Sequence, residues 1–465
     1  MTERGDARLT VGDLLRRNAA DAMRVFAVLD GGETITYAEQ LGRSRRVAGG
    51  LREAGARPGD RVHVQLGNCR QFFDVWFATA LSGTILVPTG PQSSADELAH
   101  VLSDSTPAVS LRSPSEVDAL HAPTGADVEP GDVAAILYTS GTTSRAKGVM
   151  VTDANYVAVG TAVATHLGLT AADRWLVVLP LFHANAQYYC AMSALVSGGS
   201  IALAPRFSAS NWGRQARELG ATVASLFAAP VRMILAAATD PDDAANSVRT
   251  VLFAQNIADG DAKTFESRFG TRLVQLYGMT ETVLPPTMNP DDDTRRWDSI
   301  GRALPGVTID LGPDGEMWVT GSPVAAGYWN DPDATAATFT PEGLRTADLA
   351  RRDADGFLYF VDRAKDMIKR GGENVSAGEV ERVAGEHPAV ADSAAVGIPD
   401  PVRDEAILLV VTLRPGASVA PEELLTWCRE RLSPFKVPSV VKFVDALPRT
   451  SVGKVRKAEL RARSL

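Results

Sequence analysis

Residues Val133-Ala134-Ala135-Ile136-Leu137 form an unbroken apolar run, the pattern of a strand covered on both faces. The chain then turns at once to Tyr138-Thr139-Ser140-Gly141-Thr142-Thr143-Ser144-Arg145-Ala146-Lys147-Gly148. Small residues let backbone N–H groups approach an anion, hydroxyls add donors and lysine adds a mobile charge, so a loop of this make-up cradles phosphate. A Walker A loop needs Ser or Thr after its lysine, and here Gly148-Val149 follow Lys147. The stretch therefore predicts a phosphate loop of another kind. A Ser/Gly surface turn is the competing reading, yet a turn has no need of clustered hydroxyls and a lysine behind a buried strand.

Further along, the hydrophobic pattern alternates regularly. Strands are expected at 175–179, 201–204, 222–227, 251–253 and 273–276, with helical segments between them. Repeated strand–helix–strand units with short loops predict parallel sheets covered by helices, with the active site at the strands' carboxyl ends. His183 follows the first of these strands, in Pro180-Leu181-Phe182-His183, with Asn185 and Gln187 just after it. A lone histidine is more often structural than catalytic; its place beyond a strand end is what favours a role. Gln255 and Asn256 follow the fourth strand, and Tyr277-Gly278-Met279-Thr280-Glu281 follows the fifth.

Upstream, Thr36-Tyr37-Ala38-Glu39 reads as a capping box opening a helix to about Glu53, with Gly55 as its stop. Asp30-Gly31-Gly32-Glu33 reads as a hairpin turn, and strands at 62–66 and 84–87 flank a helix at 69–81. Downstream, Ser376-Ala377-Gly378-Glu379 caps a helix, and residues 366–465 read as a compact α+β unit.

At 465 residues the chain is too long for one domain of about 150. Its 45% apolar and 22% charged residues are those of an ordinary globular protein. No apolar run approaches the ~18 residues of a membrane span, and the first eight residues are too polar for a signal peptide. A net charge of −9 argues against a nucleic-acid partner. Cys69, Cys190 and Cys428 lie far apart without metal spacing, as buried thiols of a reducing, cytoplasmic protein would. Of 47 Lys plus Arg only eight are lysine, and six of those lie beyond residue 360. A compact ammonium is thus kept where a planar fork would not serve.

Three later stretches complete a pattern: Thr346-Ala347-Asp348, the run from Val361 to Asn374, and Pro448-Arg449-Thr450-Ser451-Val452-Gly453-Lys454. Together with the 138–148 loop and the 277–281 motif, they resemble the acyl-adenylate-forming superfamily. That superfamily comprises acyl-CoA synthetases, peptide-synthetase adenylation domains and luciferases. The likeness covers nearly the whole chain. Phe435-Lys436-Val437-Pro438 looks like the acyl-CoA ligase subgroup. Ser144-Arg145, Ala254-Gln255-Asn256-Ile257 and Arg295-Arg296-Trp297 look most like the carnitine/crotonobetaine-CoA ligase branch. Departures from the common pattern are Ser144 for Gly, Ala146 for Pro, Ala347 for Gly, and the 254–257 stretch for Gly-Gly-Ala-Pro.

The resemblance implies an α/β fold with a large N-terminal adenylating domain of helix-covered sheets, residues 1–364. A smaller, mobile α+β C-terminal domain, residues 365–465, would carry the catalytic lysine. Thr139, Ser140, Gly141, Thr142, Thr143 and Lys147 would hold the phosphates of ATP. Tyr277 would stack on adenine beside Gly278 and Met279, Thr280 would contact the α-phosphate, and Glu281 would help hold Mg²⁺. His183 would gate or line the acyl pocket. Asp348 would accept the ribose hydroxyls, Arg363 would reach ribose or phosphate, and Lys365 would be the pivot. Lys369, Gly371, Gly372 and Glu373 belong to the loop that would meet the thiol, and Lys454 would be the catalytic lysine.

The implied reaction is ATP-dependent activation of a carboxylic acid as acyl-AMP with release of pyrophosphate, then transfer to the thiol of CoA. Loading of a carrier protein is an alternative. Another is ATP-dependent activation of nitrite and diazotisation of an aromatic amine in secondary metabolism. Asn185, Gln187, Gln255 and Asn256 would surround the acid with amides. Covering unpaired polar groups with an alkyl chain costs about 1–3 kcal/mol each, so a short or aromatic acid bearing polar groups is expected, not a long-chain fatty acid.

Overall fold

The computed structural model describes residues 9–120, 122, 133–139, 146–321, 323–370, 373–449 and 455–462. Among these, residues up to 308 and those from 319 to 344 pack into one compact unit. Residues 309–318 and those from 345 onward pack into a second. Packing therefore divides the chain ahead of the expected 364/365 boundary, and residues 345–364 go with the second unit.

The first unit is built on two sheets. The larger has nine strands, in the order Arg302–Ala303, Thr287–Met288, Arg272–Tyr277, Thr250–Ala254, Val223–Phe227, Arg174–Val177, Ser200–Leu203, Val25–Leu29 and Thr34–Thr36. Its six central strands run parallel, with antiparallel strands at both edges. The expected parallel, helix-covered sheet is thus present, with strand limits one or two residues from those read in the sequence. The smaller sheet runs Val109–Leu111, Arg61–Gln65, Ile85–Thr89, Val133–Thr139 and Lys147–Thr152. The apolar run is its fourth strand, and the chain returns antiparallel, pairing Thr139 with Lys147 and Tyr138 with Gly148. The strand is longer than expected, so Lys147 and Gly148 stand in the returning strand and not in the loop.

Local chemistry accounts for the element ends. Thr36 accepts from the backbone N–H of Glu39 at the head of helix Tyr37–Glu53, and Glu39 answers on the Thr36 N–H at 2.8 Å. Gly31 and Gly32, at φ +106° and +89°, make the hairpin between Val25–Leu29 and Thr34–Thr36. Behind the large sheet, Trp212, Phe265 and Phe269 pack ring on ring at 4.8–5.4 Å and are buried with Phe253. Each such ring stabilises the fold by about 1.5–3 kcal/mol relative to leaving it in water.

The second unit has its own core. Strands Glu373–Val375, Ile368–Arg370, Asp404–Leu413 and Val390–Asp400, with Val440–Phe443 added to Asp404–Leu413, make a five-stranded sheet. Helices Ala377–Gly385 and Pro421–Arg429 cover it through Val380, Val383, Leu424 and Cys428. Ser376 caps the first helix on the Glu379 N–H at 3.1 Å, and the Glu379 carboxylate pairs with Lys436 at 2.7 Å. No helix among the described residues is long and apolar enough to cross a membrane.

Candidate active site

Three neighbouring parallel strands of the large sheet, Val223–Phe227, Thr250–Ala254 and Arg272–Tyr277, end together beside Arg174–Val177. Their register pairs Phe227 with Ala254 and Ala254 with Leu276, so the residues after each strand gather along one edge. After Arg174–Val177 comes the turn to His183, which Asn68 pins. Its side-chain amide donates to the carbonyls of Leu179 and Ala204 at 3.1 Å, and its oxygen accepts from the Leu181 N–H at 2.8 Å. His183 is half-buried, and its ring stands edge-on to Phe227 at 6.2 Å.

The chain leaves His183 through a π-helical turn, Ala186–Ala191. Turns of this kind widen a helix and occur often at functional sites. Two expected pocket residues lie here, Asn185 at the head of the turn and Gln187 within it. Gln187 is fully buried; Tyr156 donates to its oxygen, and its nitrogen donates to the Leu181 carbonyl at 2.8 Å. Asn185 is buried, with its oxygen accepting from Ser225 at 2.9 Å. Both amides are thus hydrogen-bonded within the fold.

Gln255 and Asn256 are exposed at the end of Thr250–Ala254. Asn256 shares an amide–amide hydrogen bond of 3.1 Å with buried Gln275. Gln255 holds φ +76°, a conformation glycine adopts freely and other residues rarely. The nearby Arg295 and Trp297 are structural anchors, since both bind the Glu266 carboxylate, Arg295 at 2.8 Å.

Tyr277 ends its strand, and the rest of the 277–281 motif leads into a tight turn. Thr282 accepts from the Met279 N–H at 3.1 Å and donates back to the Met279 carbonyl at 2.9 Å. Tyr188 donates to the Thr280 carbonyl at 3.3 Å. A Cβ on Gly278 would lie 2.6 Å from the Tyr189 hydroxyl, so a larger residue there would have to displace that ring. Tyr277 and Glu281 are both buried, and Tyr328 donates to Glu281 Oε1 at 2.9 Å.

The stem formed by Tyr138, Thr139, Ala146 and Lys147 is braced from helix Ala95–Ser105. His100 Nε2 is hydrogen-bonded to the Ala146 carbonyl at 2.8 Å, and Tyr138 donates to Asp104 at 2.5 Å. Thr139 ends the outgoing strand and Lys147 begins the return. Lys147 Nζ sits 4.8 Å from the centre of the Tyr328 ring. Ser140, Gly141, Thr142 and Thr143 lie outside the described residues.

The second unit holds the remaining candidates. Asp348 is buried and pairs with Arg363 at 3.1 Å. Thr346 donates to the Met317 carbonyl at 2.8 Å and accepts from the Asp348 N–H. Ala347 holds φ +56° and donates its N–H to Glu316 at 2.9 Å. Glu316 is itself clamped by Arg345 at 2.6 Å, a brace that no sequence motif announced. Lys365 lies in the short turn Ala364–Asp366, and its side chain is outside the description. Asp362 accepts from Ser376 and the Gly378 N–H, and Asp366 pairs with Arg461 at 3.0 Å. Lys369 and Glu373 belong to an antiparallel hairpin, in which the Lys369 N–H donates to Glu405 at 2.7 Å. Gly371, Gly372 and Lys454 lie outside the described residues.

Residues 15–127 and 111–329 match the AMP-binding enzyme family, and 379–454 match the AMP-binding enzyme C-terminal domain. The chain belongs to the AMP-binding enzyme family. Within it, this is an acid–thiol ligase of the AMP-forming type, which uses ATP to make an acyl adenylate and passes the acyl group to CoA. It is 34% identical to the crotonobetaine/carnitine–CoA ligase of Proteus mirabilis, across 91% of this chain and 92% of that one. Identity is also 34% to the enzyme of that name from Salmonella arizonae, across 92% and 93%. ATP-bound MatB of Rhodopseudomonas palustris matches with a TM-score of 0.89 at 27% identity, over 98% of this chain and 99% of that one. The o-succinylbenzoate coenzyme A synthetase MenE of Bacillus subtilis, in complex with ATP and magnesium ion, matches at 0.86 and 27%, over 97% and 99%.

Proposed function

We propose that the acid this ligase activates is compact and polar, and that Gln255 recognises it at the strand ends, with His183 and Phe227 as neighbours. The observation that carries this reading is the backbone of Gln255. A non-glycine residue at φ +76° costs about 1–2 kcal/mol. Strain of that kind is kept where the side chain has work to do. The exposed Gln255 amide offers both a donor and an acceptor. A substrate that pairs with such groups is favoured over one that cannot by up to roughly 10⁴–10⁵.

Attack of a carboxylate on the α-phosphorus brings two anions together, so catalysis rests on positioning and charge neutralisation. Lys147 supplies positive charge beside the phosphate loop, and the Thr280 turn lies at the strand end where the α-phosphate would sit. The donor chemistry fits Mg²⁺, because that ion takes one or two protein carboxylates and keeps waters and substrate phosphates as its other ligands. Glu281 is the carboxylate, and the ion, when bound, neutralises charge on the phosphates. Asp348 and Arg363 take the ribose. Lys454 bridges the carboxylate and the α-phosphate in the first half-reaction. A swing of the C-terminal domain about Lys365 then withdraws it and brings the Lys369–Glu373 hairpin to the thiol of CoA, a hinge motion of a familiar kind. Three free cysteines, each thiol kept protonated by burial, suit a place in the reducing cytoplasm.

The test is pyrophosphate release over a panel of butyrate, crotonate, betaine-bearing acids, hydroxybenzoates, aminobenzoates, palmitate and nitrite, with and without CoA. The polar-pocket reading expects small polar acids to lead in kcat/KM and the Gln255→Gly variant to lose that preference. Palmitate in first place would overturn it, and turnover of nitrite alone would replace the acid.

A further inference from the structure

Residues 325–329 join the two halves of the nucleotide site. The Ala325 N–H donates to the Glu281 carbonyl at 3.0 Å. From there the segment pairs with the strand that leaves the phosphate loop. Ala326 N–H donates to Met150 O, Met150 N–H to Gly327 O and Trp329 N–H to Gly148 O, at 2.9, 2.9 and 2.7 Å. Tyr328 stands at the centre of this seam. Its own backbone is held by a bridge to Val149 and by the Thr335 hydroxyl at 2.9 Å, and its ring is set edge-on to Phe339 at 5.6 Å. With the ring fixed, the side chain touches both charged groups of the site. Its hydroxyl donates to Glu281 Oε1 at 2.9 Å, and its face lies 4.8 Å from Lys147 Nζ.

We propose that Tyr328 is a positioning residue for adenylation, a clamp that sets the metal-binding carboxylate and the phosphate-binding ammonium at a fixed separation. A carboxylate that gives one oxygen to a phenol turns its second oxygen to a cation in one orientation. Partners that orient a ligand in this way commonly control about 10–100-fold in metal affinity. The ring acts on Lys147 separately, because an ammonium over an aromatic face is held by the ring's quadrupole, with an effect on binding of roughly 2–5-fold at such a site. One residue thus separates into two parts, the hydroxyl serving the metal and the ring serving the lysine.

The inference rests on Glu281 being the metal carboxylate, and the experiment tests that assumption alongside it. ATP binding to the full chain is measured by calorimetry without acid, first in EDTA and then with Mg²⁺, and Mn²⁺ binding is followed by electron spin resonance. Tyr328→Phe is expected to bind ATP normally in EDTA but to lose about tenfold or more of the gain that Mg²⁺ brings. Its transfer of a supplied acyl-AMP to CoA should be unchanged. Tyr328→Leu should lose the same gain and, in addition, weaken ATP binding in EDTA by about 2–5-fold. A wild-type Mg²⁺ gain in Tyr328→Phe overturns the clamp. So does an equal loss in EDTA and in Mg²⁺, which would mark Tyr328 as merely structural. A wild-type gain in Glu281→Gln overturns instead the assignment of Glu281, whatever Tyr328 does.

Discussion

The guanidinium of Arg363 lies 3.1 Å from the buried carboxylate of Asp348, and the two neutralise each other in the chain without nucleotide. A ribose that takes both would replace a partly exposed ion pair, which by itself is worth little, with hydrogen bonds to a charged acceptor. Asp348→Asn is therefore expected to weaken ATP binding by roughly 10–100-fold, the equivalent of about 1.5–3 kcal/mol. Pyrophosphate, which has no ribose, should bind as before. Calorimetry with both ligands is the check, and equal losses for the two would remove Asp348 from the ribose site.

Ala347 and Gln255 are non-glycine residues with positive φ, +56° and +76°, where the superfamily's common pattern implies glycine. Glycine at either should relieve backbone strain and raise stability by about 0.5–1 kcal/mol, read by urea unfolding. The two should differ in activity: Ala347→Gly keeps the acid preference of the parent, whereas Gln255→Gly flattens it. A Gln255→Gly variant that is less stable and equally selective would mean that the glutamine serves the fold.

Lys454 and Lys365 are expected to give crossed phenotypes. Loss of one charge contact made only in the transition state costs about 10²–10³ in rate. Lys454→Ala should lose that much in pyrophosphate release while still transferring supplied acyl-AMP to CoA. Lys365 lies in the turn Ala364–Asp366, and proline there confines φ to one region. Lys365→Pro should spare pyrophosphate release and cripple transfer. Single-turnover assays of each half-reaction decide, and loss of both in either variant contradicts alternation about residue 365.

Stability should fall on the acid side of neutrality through His63. Its ring is buried between the Ser110 and Thr89 hydroxyls at 2.8 and 2.9 Å, and burial lowers its pKa from 6.5 to about 4. The unfolded chain takes up a proton near pH 6.5 that the folded chain refuses until about pH 4. The stabilising effect is thus complete above 6.5 and is lost as pH falls through that window. Asp74, raised to about 6 by burial, acts in the opposite direction and softens the loss. Urea unfolding between pH 7 and 4.5 should show a shallower decline for His63→Gln than for the parent; parallel declines would exclude His63.

Much of this molecule is legible in its sequence because the relevant chemistry is local. The Thr36–Glu39 box, the glycine pair of the first hairpin and the strands around 175, 223, 251 and 273 depend on neighbours within a few residues. So does the placing of His183 and Gln255 beyond strand ends, and of Tyr277 at one. Side-chain direction is a different matter, because it depends on which distant group offers a partner. Gln187 turned inward to meet Tyr156, 31 residues away, and Asn185 to meet Ser225, 40 away. Asn68 reaches more than 100 residues ahead to shape the His183 turn, and Tyr328 finds Glu281 across 47. Buried polar groups must be paired. Hydrophobic periodicity places them on an element without naming their partners, and only packing of the sheets brings those partners within reach.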